Sequence, residues 1–123
     1  MTPNCKYDIE GFSKELGFSL VDASELYHEL VSEINSETLK LKACVAQHDI
    51  ETQKRIVHNI KGITGNYRIL DVYSLSTEIN NLFKSEDLDK IALLWPKYFS
   101  ICEIACDEIQ SYFIEKGIET STL

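Results

Sequence analysis

Only two prolines and five glycines occur in 123 residues, and the dipeptides Asn-Gly and Asp-Gly are missing, so the usual punctuation of hairpins is absent. No apolar run approaches the length of about eighteen residues that a membrane span needs. Met1 to Glu10 lacks the basic start and apolar core of an export signal, and the chain is expected to stay in the cytoplasm. Basic residues are few, 12 against 20 acidic ones, for a formal net charge of -8. That balance argues against general binding to nucleic acid or anionic membranes, both of which rest on excess Lys and Arg. There is no glycine-rich nucleotide loop, no kinase signature set and no clear carboxylate cluster for Mg²⁺, which excludes a self-sufficient kinase. Cysteines number four, Cys5, Cys44, Cys102 and Cys106, without the regular spacing of a small secreted scaffold; they read as free thiols in a reducing compartment. Cys102 and Cys106 lie one helical turn apart, yet no neighbour completes a metal set, and core packing is the expectation.

What is present fits a single soluble domain over residues 1–123, with a core of about 8–117 and disordered ends, Glu119 to Leu123 included. Apolar residues make up 44% and charged ones 26%, ordinary values for a globular chain. No segment alternates like a strand, while apolar residues recur at three, four and seven. A short helix is expected from Asp8 to Gly17. A long one follows, capped by Asp22, reaching about Ala46 through Leu26, Tyr27, Leu30, Ile34, Leu41 and Val45, with Asn35-Ser36 as a possible interruption. The next runs from Asp49 to Tyr67, another from an Asp71 cap to Lys84, and the last from Ser85 or Asp87 to about Lys116, with a kink or short break near Leu94-Trp95 because Pro96 has no N–H. The fold class is all-α: an up-down antiparallel four-helix bundle with an additional short N-terminal helix. His28 reads as a surface or boundary residue, and His48 sits in a tight connection with no assigned role.

The Asp49 to Tyr67 helix carries the chemistry. At about 100° per residue, Gln53, Ile56, Val57, Ile60, Ile63, Thr64 and Tyr67 form one apolar stripe. His58 points nearly opposite, and Lys54, Arg55, Lys61, Gly62 and Gly65 fall around it. From Glu51 to Leu70 the basic residues are Lys54, Arg55, Lys61 and Arg68 against one acid, Glu51, so an acidic chain carries its basic island here. Each interior glycine costs a helix about 1 kcal/mol relative to Ala. The apolar rhythm continues past both, so neither is read as a helix end; their value is access to His58. On the following helix, Tyr73, Thr77, Asn80 and Lys84 share a polar strip by spacing, and an ordinary solvated face explains that strip equally well.

His58-Asn59-Ile60-Lys61-Gly62 resembles the His-x-hydrophobic-Lys-Gly signature of histidine-containing phosphotransfer (HPt) domains, with Gly65 and Asn66 where that family often has a small residue and Asn. The order of helices along the whole chain is similar too. Arg68 and Ile69 depart from the Gly-Ala of many members, at the end of the helix. The resemblance implies a standalone phosphorelay protein that takes a phosphoryl group on histidine from one receiver-domain aspartate and passes it to another. His58 would carry the group and Lys61 would stabilise it. Lys54 is a second nearby cation, Gly62 and Gly65 would let the receiver dock, and Asn80 and Lys84 would approach from the next helix. Apolar residues between Phe12 and Leu20 would extend the docking surface.

The implied partners are response-regulator receiver domains and a hybrid sensor histidine kinase. No cofactor or metal is expected on this chain, Mg²⁺ coming from the receiver, and a monomer suffices. The chemistry agrees: a neutral imidazole is a nucleophile toward phosphorus, and ammonium groups pair with the added oxygens. The alternative is a helical docking module that binds a receiver or sensor kinase without carrying phosphate. A small His/Cys metal bundle is a third option, against which the absence of a Glu-x-x-His pair counts.

Overall fold

The computed structural model describes residues 5–118, and among them every regular element is a helix: α1 Ile9–Leu16, α2 Leu20–Ala46, α3 Ile50–Asn66, α4 Leu70–Lys84 and α5 Leu88–Glu115. The expected disorder of Glu119 to Leu123 lies outside the described residues. None of the helices is long and apolar enough to cross a membrane.

Three helices start on aspartate caps: Asp8 and Asp49 stand at the expected starts, and Asp87 is one of the two residues expected to begin the last helix. Asp8 accepts from the Gly11 N–H, Asp49 from Thr52 and Asp87 from Lys90, each satisfying a donor that the first turn leaves free. The Thr52 hydroxyl adds a second bond to Asp49 at 2.6 Å, and these two bonds hold the Asp49 carboxyl below its usual range. Two caps differ from expectation. Ser19, not Asp22, caps α2 and accepts from the Asp22 N–H at 3.1 Å. At α4 the cap position is Ile69, which makes no side-chain bond; its side chain is fully buried, and its N–H reaches the Thr64 carbonyl at 2.8 Å. Asp71 lies inside α4 instead, where it accepts from the Tyr7 hydroxyl and pairs with Lys6.

No break interrupts the long helices. α2 passes through Asn35-Ser36, and α5 through Pro96, without a break. Pro96 leaves the Ala92 carbonyl without its helical donor, and Ala92 is exposed, so water can take that bond.

Each connection is three residues long, at 17–19, 47–49, 67–69 and 85–87. In the last three a non-glycine residue takes the left-handed conformation: His48 at φ 57°, Arg68 at 58° and Glu86 at 59°. In each, the residue after it donates back to a carbonyl five positions earlier, as Asp49 does to Cys44, Ile69 to Thr64 and Asp87 to Leu82. This is the Schellman closure that usually employs glycine.

The helices pack in a ring: α2 on α3, α3 on α4, α4 on α5 and α5 on α2, with α1 against α2. The enclosed core includes Tyr27, Ile34, Leu41, Ile60, Ile79, Tyr98, Ile109 and Phe113. Tyr98 bonds Ser76 at 2.7 Å inside it. Cys44, Cys102 and Cys106 are buried and unpaired. The apolar stripe of α3 faces this core with Gln53, Ile56, Val57, Ile60 and Thr64 buried, while Ile63 and Tyr67 are only partly so.

Candidate functional site

Burial of that stripe turns His58 outward, and its side chain is exposed near the middle of α3. The imidazole stands between two surface hollows. One, of about 410 Å³, is lined by His58, Lys61, Gly62, Gly65, Asn66, Leu70 and Tyr73. The other, of about 340 Å³, is lined by Lys54, His58, Lys61, Asn80, Phe83 and Lys84. His58 and Lys61 belong to both, because residues three apart stack on one helix face.

The second hollow is the cationic one. Among the described residues, the ion pairs within 4 Å involve Lys6, Lys14, Lys40, Lys54 and Arg68; Lys61 and Lys84 are in none of them. Lys54 reaches Glu51 at 3.5 Å, an exposed pair within one helix turn that water largely screens. An anion seated beside His58 would therefore meet ammonium groups with little competition from internal carboxylates. Asn80 comes from α4 to the same hollow. The side-chain bonds of the outward face of α3 run from Lys54 to Glu51 and from Asn59 to Glu37, and none joins Asn80 to His58.

The two glycines differ. A Cβ on Gly62 would meet nothing within 4 Å, so the surface beside His58 is bare. A Cβ on Gly65 would lie 2.9 and 3.0 Å from Cε1 and Cδ1 of Tyr73. Gly65 therefore makes room for a ring of this chain, and the space above it is already occupied. The Lys61 ammonium lies 5.9 Å from the centroid of the same ring.

Most residues singled out by sequence meet here: Lys54, Lys61, Asn80 and Lys84 on one side of His58, Gly62 and Gly65 on the other. Arg55 does not, lining a separate groove between α2 and α3 with Glu37, Lys40 and Asn59. Nor does the Phe12 to Leu20 segment line either hollow. Phe12 packs edge-on to Tyr67 at 5.9 Å and lies under the Arg68 guanidinium at 5.0 Å, while Arg68 also pairs with Glu15. Leu16 and Phe18 remain exposed. Leu70 and Phe83 complete the hollows, and Tyr73 gains a role that its place on the polar strip does not suggest. Seeing it requires the register of α4 on α3.

Among the described residues no group of three or more His, Cys, Asp or Glu is arranged to hold a metal ion. No family model, characterised protein or solved structure matches the chain.

Proposed function

We propose that this chain is a phosphocarrier of a His-Asp phosphorelay, holding a phosphoryl group on His58 between the aspartates of two receiver domains. The observation that carries the reading is an exposed histidine flanked by a cationic hollow on one side and the bare surface at Gly62 on the other. The resemblance of His58 to Gly62 to the HPt signature points the same way. Three-residue connections and the ring of helix contacts support the matching architecture, an up-down antiparallel four-helix bundle with α1 added.

In the receiving step, a lone pair on one imidazole nitrogen attacks the phosphorus of an aspartyl phosphate on the receiver. The N–P bond forms as the P–O bond to the aspartate breaks, and that carboxylate leaves with the bonding pair. The other ring nitrogen keeps its proton, so no base is required. The forward step is the reverse, with a second receiver's carboxylate as nucleophile. Mg²⁺ comes with the receiver, and this chain contributes positioning and charge: Lys61, Lys54 and Lys84 neutralise the phosphoryl oxygens, and Asn80 donates a hydrogen bond to them. The reading carries a cytoplasmic location, a monomer, and a hybrid sensor histidine kinase as the source of the phosphoryl group.

The test is to incubate purified protein with phosphoramidate, measure acid-labile phosphate by intact mass, and then add receiver domains from the same genome with Mg²⁺. Wild type should gain one phosphoryl group that a receiver removes, and His58→Gln should gain none. If His58 stays unmodified with both the donor and a panel of phosphorylated receivers, the carrier reading is wrong, and a docking module that carries no phosphate takes its place.

A further inference from the structure

The Tyr73 ring connects two features of the site that the phosphocarrier reading leaves separate, the absence of a side chain at Gly65 and the placement of Lys61. Tyr73 stands on α4, and two atoms of its ring lie 2.9 and 3.0 Å from where a Cβ of residue 65 would be. From that seat its centroid is 5.9 Å from the Lys61 ammonium, within the range in which a cation is drawn to an aromatic ring. Lys61 has no carboxylate partner among the described residues, and it is only partly exposed. A lysine on a helix leans toward the turn before its own Cα, which here is the turn of His58, but its long stem samples several rotamers. The ring biases that freedom at the one lysine that lines both hollows.

We infer that Tyr73, seated against Gly65, is a positioning residue that holds the Lys61 ammonium in the hollow that His58 also lines, ready to move onto phosphoryl oxygens as they arrive. This rests on the phosphocarrier reading and adds to it a residue outside the signature motif. The attraction is weak enough to yield to a dianionic group, since a charge-assisted hydrogen bond exceeds an exposed cation–π contact. Ring–lysine contact therefore belongs to the unphosphorylated state, and lysine–phosphoryl contact to the phosphorylated one.

Two measurements test it, one independent of phosphate. In proton NMR, the ring should shift the Lys61 ε-methylene signals upfield of those of other exposed lysines. Tyr73→Phe should keep that shift, Tyr73→Leu should abolish it, and Gly65→Ala should diminish it by pushing the ring aside. In the phosphoramidate reaction, Tyr73→Leu should slow phosphorylation of His58 by roughly two- to fivefold, the size expected of one exposed cation–π contact. Tyr73→Phe should restore the rate, and in a Lys61→Gln background Tyr73→Leu should change nothing. An unshifted Lys61 in wild type, or an unchanged rate in Tyr73→Leu, overturns the positioning role and leaves the carrier reading standing. A shifted Lys61 in a wild type that takes up no phosphoryl group overturns both.

Discussion

The Tyr7 hydroxyl donates to both carboxylate oxygens of Asp71, at 2.9 and 3.1 Å. Lys6 adds an ion pair to the same carboxylate at 3.3 Å. The segment before α1 is thereby fixed to the first turn of α4, close in sequence to the Leu70 and Tyr73 that line one hollow beside His58. Tyr7 is buried, and burial together with the Asp71 carboxylate raises its phenol well above the ordinary value. Tyr7→Phe should cost about 1 kcal/mol, the net worth of one partly exposed hydrogen bond, and should speed amide exchange over residues 5–9 more than in α3. An unchanged urea midpoint with unchanged exchange would show that the bond holds nothing in place.

Much of this arrangement is legible in the residues. The spacing of Gln53, Ile56, Val57, Ile60 and Thr64 sets the buried side of α3 and so the outward side of His58, because helical period alone decides which residues share a face. Asp8 and Asp49 announce their helices by the bond that a carboxylate accepts from a free N–H, whereas Asp87 shares that signal with Ser85 two residues earlier. Ser19 and Asp22 are both good caps three residues apart, and a choice between them depends on where α2 meets the rest. Ile69 offers no capping chemistry; its burial and the closure behind Arg68 start α4. Tyr73 against Gly65 is a contact between helices, and one helix's periodicity carries no information about the register of another.

Alkaline pH should unfold the protein through its buried acids. Desolvation pushes the Cys102 and Cys106 thiols up to about 12 from 9.0, and burial raises Tyr27 and Tyr98 as well. Each is neutral when folded and ionises more readily when unfolded, so the unfolded chain binds fewer protons. Their contribution to stability is complete below about pH 9 and is lost as pH rises toward 12, at up to about 1.4 kcal/mol per pH unit for each group. Urea midpoints at pH 8, 9.5 and 10.5 should fall steadily, and Cys102→Ala or Cys106→Ala should flatten the first part of the decline. A midpoint constant across that range would contradict the burial of these thiols.

Glu86 occupies the left-handed region at φ 59° in the α4–α5 connection, where an L residue with a Cβ is disfavoured by roughly 1–2 kcal/mol. Glycine removes the strain but brings more unfolded-state freedom, which offsets about half of the gain. Glu86→Gly should raise the stability by about 0.5–1 kcal/mol, whereas Glu86→Val should lower it. Thermal unfolding of the two variants against wild type distinguishes these directions, and destabilisation by Gly would mean that the Glu86 side chain has a partner that its geometry does not reveal.

Gly62 and Gly65 should respond differently to the same substitution. Both lie inside α3, so Ala at either position gains up to about 1 kcal/mol of helix propensity. At 62 the new methyl group meets nothing within 4 Å, and the gain should appear in full as a higher unfolding midpoint. At 65 the methyl would lie 2.9 Å from Tyr73, so the ring must leave its seat and the gain is cancelled or reversed. On the carrier reading, function follows the opposite order for a large partner. Gly62→Ala should leave phosphoramidate labelling of His58 intact, because a small donor passes the methyl, but slow exchange with a receiver domain by roughly tenfold or more, because the reacting atoms no longer meet in line. A Gly62→Ala protein that exchanges with its receiver at the wild-type rate would show that the bare surface at 62 is not where the receiver approaches.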